Sequence, residues 1–290
     1  MLRRVPLHVW LLAPALLFVA AMALFPLLSS LLLSFREWKL ASSPTPGPWV
    51  GVDNYLGLPD DPDFMESLRA TAVFVGLDVG ATLLVALATA LLLQRASGLS
   101  DFARVLLILP FVMSPALIGI SFRFFLNPEF GIAQHLFGLA VPALAGKVWL
   151  ADATLAMAAV VASDVWHWAP YMALVILGGL ASIPRETIEA SRVDGASAWV
   201  SFRDITLPQL LPVLAVVLVL KTVFALKAFD TIYTLTSGGP GTSTQTLAYY
   251  VYHAAFNYYD MGYAAAAAYV LTAALLLMSA LYLRLVFRKR

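Results

Sequence analysis

Two groups of residues within the apolar part of the chain place aromatic and ionisable side chains at helical spacing. Asp164, Trp168 and Tyr171 are four and three residues apart, so they would lie on one face of a helix. Lys221 and Phe224 repeat this kind of spacing in a later apolar run. Aromatic rings with a few polar groups suit a sugar, because its C–H faces stack on rings and its hydroxyl groups need hydrogen-bond partners.

The same residues have a second, purely structural interpretation. Trp168 and Tyr171 would then only pack between helices. Asp164 with Lys221, or Lys227 with Asp230, would neutralise each other as ion pairs. Lys221 is not the neutral polar residue expected for sugar contact, so the chain could also line a route without binding its solute. Both interpretations remain open at the level of the sequence.

Two further charges in apolar runs, Asp78 and Arg123, have partners that the sequence does not identify. Ionisable residues inside a membrane span are costly and are therefore candidates for function. These two would pair within the helix bundle or meet a partner subunit.

The sequence offers no enzymatic site. It contains no cysteine, which excludes disulfides, thiol catalysis and cysteine-ligated metals. No H-E-x-x-H motif is present, and the four histidines are scattered at His8, His135, His167 and His253. The phosphate-binding pattern G-x-x-x-x-G-K-[ST] is absent, and "GGPGT" at 238–242 lacks the lysine and is interpreted as a turn. We expect no catalytic residue, no metal site and no bound cofactor in this chain.

The composition is that of a membrane protein, with 61% hydrophobic and 12% charged residues. A helix needs roughly 20 apolar residues to cross a hydrocarbon core of about 30 Å. Six runs meet this requirement: 7–35, 70–93, 104–126, 154–181, 209–235 and 263–287. The predicted fold class is therefore an all-α membrane protein with six transmembrane helices, kinked where proline residues fall within spans.

The basic residues predict the orientation, because Lys and Arg favour the cytoplasmic side. With the amino terminus inside, eleven of the 18 basic residues are cytoplasmic and four are outside. The cytoplasmic group includes Arg3 and Arg4 at the start and Arg288, Lys289 and Arg290 at the end. Both termini and the loop between spans four and five are therefore predicted to be cytoplasmic.

That loop contains "EASRVDGASAWVSFRDITLP" at 189–208 and is predicted to form two short helices. Ser182 and Pro184 indicate a capped helix start. Asp194 and Gly195 indicate its end, because glycine tolerates the left-handed conformation of a C-terminal cap. A second short helix follows and is predicted to end at Pro208. Such a charged and apolar surface needs a partner.

The spacing within this loop resembles the EAA loop of binding-protein-dependent ABC importer permeases. The resemblance is carried by Glu189, Ala190, Asp194, Gly195 and, after a nine-residue gap, Ile205, Leu207 and Pro208. Ser191 stands where that family often has a second alanine. "FDTIYTLTSGGPGTSTQTL" at 229–247 and "VGVDNYLGL" at 50–58 are similar to the carbohydrate-uptake, maltose-type branch of these permeases.

The resemblance implies one permease domain over 1–290, with its core at about 66–287 and its coupling loop at 182–208. In such importers the loop docks on a cytosolic ATPase, which holds ATP and Mg. Glu189 and Asp194 would supply charge complementarity and Gly195 the turn, while Trp199 and Phe202 would either contact the ATPase or pack against the bundle. In maltose-type members of the family, the positions at the same distances from the EAA motif as the aromatic face described first face the sugar. The resemblance therefore implies that this face, which includes Trp168 and Tyr171, would contact the sugar.

The resemblance also implies the setting of this chain. Its partners would be ATPase subunits, a second related permease, an extracytoplasmic solute-binding protein and membrane lipid, with no nucleic acid. The complex would lie in a prokaryotic inner membrane.

Two alternatives remain. One is a self-sufficient secondary transporter or channel, in which Asp164, Lys221, Lys227 and Asp230 would be coupling groups. Secondary carriers often contain internal repeats, and none is evident between 1–145 and 146–290. The other is an ABC importer of a non-sugar solute such as a polyol or glycerol phosphate.

Overall fold

The computed structural model describes residues 7–95, 100–133 and 146–287. Regular secondary structure within these ranges is entirely helical, which confirms the predicted all-α class. Arg3, Arg4, His135 and the basic residues at 288–290, which entered the sequence predictions, lie outside the described residues.

Five helices are long and apolar enough to cross a membrane: Leu11–Ser34, Pro62–Gln94, Ala153–Ala181, Ala198–Leu226 and Met261–Tyr282. A sixth crossing is formed only if Val105–Val112 and Pro115–Phe125, which meet at 95°, are one broken span. The six predicted spans therefore agree with the structure when this bent pair is counted as one crossing, and the structure otherwise has five candidate spans.

The longer helices are α1 (Leu7–Ser34), α3 (Pro62–Arg95), α4 (Ser100–Val112), α5 (Pro115–Phe125), α6 (Ala153–Ala181), α9 (Leu207–Leu226), α11 (Leu247–Phe256) and α12 (Met261–Phe287). The shorter ones are α2 (Asp53–Gly57), α7 (Arg185–Val193), α8 (Ala198–Ser201) and α10 (Asp230–Leu235). Two 3₁₀ turns cover Leu58–Asp60 and Trp149–Ala151, and a π-helical segment covers Phe202–Thr206.

One compact unit comprises the chain up to Pro62 together with Val251–Thr272. Most described side chains of α1 are exposed, as expected for a helix whose apolar surface faces lipid or another protein. The Ser30 hydroxyl lies 3.1 Å from that of Tyr269, and this contact joins α1 to α12. After α1, the Phe35 ring stacks on Trp49 with 5.4 Å between centroids, which holds the following loop against the helix end.

The second unit comprises Asp63 to Tyr250 and the chain from Ala273 onward. Its apolar core contains Met172 and Ile176 of α6 with Leu210 and Val217 of α9. Helices α6 and α9 approach closely at Gly179, where an added Cβ would lie 2.8 Å from the Val213 side chain. Small residues at such crossings let membrane helices pack through van der Waals contact.

The third predicted span is not one straight helix. Helix α4 ends at Val112, and α5 begins at Pro115 in a different direction. Pro115 disfavours the helical conformation at the residue before it, and Ser114 is extended with φ −63° and ψ 136°. The predicted run 104–126 is therefore divided into two helices, and the bend lies at Pro115, one of the prolines within spans where a kink was expected.

The fifth span differs from the prediction at both ends. The helical run is continuous from Ala198 to Leu226, so Pro208 does not end a separate helix. The π-helical segment Phe202–Thr206 lies within this run, just before Pro208. It widens the helical turn, and the Leu207 N–H donates to the Phe202 carbonyl five residues back. This geometry relieves the clash that a proline causes in a regular α-helix. At the other end, α9 stops at Leu226 and 230–235 forms the separate helix α10.

Ser182 does not cap α7 as predicted. Its hydroxyl donates to the Gly179 carbonyl at 2.7 Å and so belongs to the end of α6. Pro184 immediately precedes α7, which has no side-chain cap at its start.

Candidate functional site

Three charged residues from three long helices meet inside the second unit. The Lys221 Nζ atom of α9 lies 2.6 Å from Oδ2 of Asp78, in α3, and donates a short hydrogen bond to Oδ2 of Asp164, in α6. Asp78 and Lys221 are 0% exposed and Asp164 is 4% exposed. We call this group the ion triad. It contains the Asp164–Lys221 pair considered from the sequence and adds Asp78 to it.

Burial makes the three members of the ion triad interdependent. Taking an isolated charge out of water is costly, and the cost is offset only when an opposite charge and hydrogen bonds replace the water. The Thr82 hydroxyl, one turn after Asp78, lies 3.5 Å from the other carboxylate oxygen, Oδ1. The ion triad therefore fixes α3, α6 and α9 against one another.

An aromatic cluster adjoins the ion triad. Trp168 stacks on Phe224 with 4.2 Å between centroids, and Tyr171 stacks on Phe111 with 4.4 Å between centroids. The edge of one ring in the Phe111–Trp168 pair faces the other at 5.5 Å, so the two stacks are connected. The Lys221 Nζ atom lies 5.8 Å from the Trp168 centroid, within cation–π range. These rings form one continuous surface from α4, α6 and α9, which we call the four-ring cluster.

The five residues proposed from the sequence as a pathway face are thus brought together, namely Asp164, Trp168, Tyr171, Lys221 and Phe224. Two members of the site, Phe111 and Asp78, were not assigned to it from the sequence. Asp78 carried a signal, because a carboxylate in an apolar run needs a partner. Phe111 is one of many apolar residues in its run, and nothing in its spacing distinguishes it.

One face of each ring in the four-ring cluster is covered by another ring in this conformation. All four side chains are half-buried, so the remaining faces and edges are partly open. The arrangement can offer a stacking surface to a sugar, and it can also serve as helix packing. Lys227 and Asp230, the second pair considered, are both exposed, and no ion pair within 4.0 Å joins these two described residues.

The described ranges contain no group of three or more His, Cys, Asp or Glu residues placed to hold a metal ion. Arg123 lies in the last turn of α5 and is exposed.

The predicted pair of short helices is formed by α7 and α8. Gly195, between them, has φ +81°, the left-handed conformation expected there. The Ser191 hydroxyl of α7 lies 3.0 Å from that of Ser201 in α8, and Ser197 caps α8 by accepting from the Val200 N–H at 3.3 Å. Ser191 thus replaces the alanine expected at that position with a residue that joins the two helices.

The helix pair exposes both charged and apolar groups. Among the residues of the EAA-like pattern, Glu189, Ala190, Asp194, Gly195 and Pro208 are exposed, whereas Ile205 and Leu207 are half-buried. Val193 and Trp199 add exposed apolar surface, at 88% and 67%. A cavity of 420 Å³ lies beside the pair and is lined by residues that include Gln94, Arg185, Arg192 and Phe202. Exposed apolar surface with a charged rim is typical of a protein interaction site.

Comparison with known proteins identifies the family. Residues 74–290 match the family described as "Binding-protein-dependent transport system inner membrane component". The chain belongs to this family. It is therefore a multi-pass inner-membrane protein and a transport component rather than an enzyme. This confirms the resemblance drawn from the 189–208 segment.

Similar proteins include permeases named for sugars. The sulfoquinovosyl glycerol transport system permease protein SmoG of Agrobacterium fabrum is 34% identical, over 98% of this chain and 91% of SmoG. The trehalose/maltose transport system permease protein MalF of Thermococcus litoralis is 34% identical, over 74% of this chain and 71% of MalF.

A solved bacterial ABC transporter involved in the import of the acidic polysaccharide alginate has the same fold, with a TM-score of 0.83 and 22% identity. The match covers 97% of this chain and 96% of the chain of that transporter.

Proposed function

We propose that this family member is a membrane-spanning permease subunit of an ATP-driven importer, which receives a sugar from an extracytoplasmic solute-binding protein. The observation that carries the proposal is the family match over residues 74–290, since the family is that of binding-protein-dependent transport systems. A self-sufficient secondary carrier is disfavoured for the same reason.

The sugar class rests on two further observations. Two similar permeases, SmoG and MalF, are named for sugars. The four-ring cluster, with Trp168 and Tyr171 at its centre, offers the aromatic surface against which the C–H faces of a sugar pack.

Energy would enter through the surface formed by α7 and α8. In this proposal both termini and the helix pair lie in the cytosol, and the pair docks on an ATPase that holds ATP and Mg. Glu189 and Asp194 supply exposed charge for that contact, and Trp199 supplies apolar surface. A second, related permease completes the membrane part. A rigid helix pair that continues directly into a long helix transfers displacement better than a flexible loop.

Reconstitution in liposomes tests the proposal. We expect ATP-dependent sugar accumulation only when this chain is combined with its ATPase, a second permease and the solute-binding protein. The isolated chain is expected neither to hydrolyse ATP nor to accumulate sugar. Concentrative, ATP-independent uptake by the isolated chain would contradict the proposal and restore the secondary carrier.

The docking role is tested at Gly195. A left-handed backbone costs a residue with a Cβ about 1–2 kcal/mol, and more for a β-branched one. No atom lies within 4 Å of a Cβ added at Gly195, so Gly195→Val acts through backbone strain rather than a clash. We expect Gly195→Val to insert in the membrane and to abolish ATP-driven uptake. Gly195→Asn is the matched control, because asparagine tolerates the left-handed region, and it should retain most uptake. Normal uptake by Gly195→Val would refute the docking role.

A further inference from the structure

The cavity beside the helix pair is lined by two arginines whose charges have no described counter-ion. Arg185 and Arg192 are seven residues apart on α7, so they lie on the same face of that helix. Neither guanidinium group makes a salt bridge or a side-chain hydrogen bond with another residue in the described ranges. The lining residues that the structure describes include no aspartate or glutamate. The cavity is therefore a place where an anion from outside the chain can meet two unpaired cations.

The size and the hydrogen-bond donors of the cavity suit a phosphate group. Its volume of 420 Å³ lies at the lower end of the range of about 300–1,000 Å³ for ligand pockets. The buried Ser201 and Thr206 hydroxyl groups of the lining already make hydrogen bonds within the chain. Both arginines and Gln94 therefore supply the side-chain N–H donors that remain in the described lining. A planar guanidinium group pairs two of its N–H groups with two phosphate oxygens, so two arginines suit this ligand.

The cavity also reaches the end of a candidate membrane span. Leu91 and Gln94 line it, and Gln94 is the last residue of the candidate span Pro62–Gln94. A ligand in the cavity would therefore lie where the apolar part of a helix gives way to polar surface, which is the level of lipid headgroups. Basic pockets at the cytoplasmic surface of membrane proteins bind anionic headgroups. Ile188 and Phe202 add apolar surface to the lining, against which the glycerol part of a lipid can pack.

We propose that this cavity is a site for an anionic phosphate group, bound by Arg185 and Arg192 with Gln94 as a third donor. A phospholipid such as phosphatidylglycerol in the cytoplasmic leaflet is the nearest source, and a soluble phosphate offers the same chemistry. The inference goes beyond the proposed function and takes from it only the cytosolic position of α7 and α8. The site uses other residues than Glu189 and Asp194, to which the proposed function assigns the ATPase contact.

The test measures binding to the complete importer, purified in detergent with its ATPase and second permease. In the lipid arm, native mass spectrometry follows titrations with short-chain phosphatidylglycerol and with phosphatidylcholine. In the soluble arm, calorimetric titration measures the binding of inorganic phosphate and of glycerol 3-phosphate. Arg185→Gln and Arg192→Gln should each weaken binding of the anionic probe about tenfold, because each removes a charged hydrogen-bond donor.

The two arms identify the source of the phosphate group. Binding of phosphatidylglycerol that depends on both arginines and exceeds that of phosphatidylcholine supports the site and assigns it to lipid. Arginine-dependent binding of a soluble phosphate alone also supports the site and assigns it to a cytosolic ligand. If neither arginine variant changes the binding of any probe, the inference is wrong. It is equally wrong if the variants only weaken co-purification of the ATPase, since the arginines would then bind an acidic part of that partner.

Two controls separate an enclosed site from general attraction at a basic surface. Arg203→Gln removes the same charge from an exposed residue outside the lining, whose Nε lies 3.7 Å from Oδ1 of Asp204, and it should leave binding unchanged. Ala196→Leu keeps both arginines but fills part of the cavity, and it should weaken binding about as much as Arg185→Gln. Ala198→Leu replaces it if that variant does not assemble. Equal binding by the unmodified chain and the filled variant would contradict an enclosed site.

Sugar uptake by the same preparations in liposomes keeps the two proposals apart. ATP-dependent uptake without arginine-dependent probe binding leaves the proposed function standing and refutes the phosphate site. Arginine-dependent probe binding without uptake supports the phosphate site and counts against the proposed function.

Discussion

Replacing Lys221 by methionine removes the only ammonium group of the ion triad while keeping a side chain of similar length. Asp78 and Asp164, 0% and 4% exposed, would then face each other without a cation. Removing one partner of a buried ion pair typically costs about 3–5 kcal/mol, because the remaining charge is left uncompensated. We expect the free energy of unfolding to fall by this amount. In a chain of this size such a loss lowers the unfolding temperature by about 10 °C.

The assay is thermal unfolding of the purified complex in detergent, followed by tryptophan fluorescence. Lys227→Met at the exposed end of the same helix is the matched control, and its effect should stay within about 0.5 kcal/mol. Combining Lys221→Met with Asp78→Asn and Asp164→Asn removes all three charges and should recover most of the lost stability. An unfolding temperature of Lys221→Met equal to that of the unmodified chain would show that the carboxylates are not buried as described, and the reasoning would fail.

Three further predictions concern other parts of the chain. Tyr171→Ala should reduce transport or alter sugar preference while assembly of the complex and its basal ATPase activity persist. Loss of assembly together with transport would instead favour the interpretation that Tyr171 only packs between helices. Glu189→Lys should weaken co-purification of the ATPase more than membrane insertion of the chain, because it reverses an exposed charge. An equal loss of both would count against the proposed docking role. Gly119→Val should lower stability by about 2 kcal/mol, measured by thermal unfolding, because an added Cβ would overlap the Thr234 hydroxyl. Gly76→Ala, where nothing lies within 4 Å of the added Cβ, should change stability little, and equal effects would contradict this packing argument.

The sequence predicted the features that depend on local pattern. Apolar runs long enough to span a bilayer became helices, because a segment in lipid must satisfy its backbone hydrogen bonds internally. Gly195 adopts the left-handed conformation that its place between two helical patterns indicated. The face shared by Asp164, Trp168 and Tyr171 followed from helical periodicity alone.

The features that the sequence did not predict arise from tertiary contacts or from the local response to proline. The pairing of Asp78 with Lys221 joins helices that are distant in sequence, and no periodicity within either helix indicates it. Pro115 and Pro208 both lie in apolar helical patterns, yet the first coincides with a 95° bend and the second follows a π-helical segment in a continuous helix. The propensity of proline alone does not distinguish these two outcomes.

The continuity of the helical run from Ala198 to Leu226 has a mechanical consequence. At 1.5 Å per residue, Trp199 and Lys221 are about 33 Å apart along the axis of a straight helix. A tilt of about 10° around the Lys221 end would therefore move the Trp199 end sideways by about 6 Å, roughly one helical turn. With such a pivot the run would act as a lever arm: its distant, exposed end would move far, while the end beside the ion triad would stay almost still. Movement of the exposed surface formed by α7 and α8 would then reach the aromatic rings as rotation rather than translation. Ring stacking depends on angle as much as on distance, so it would respond first.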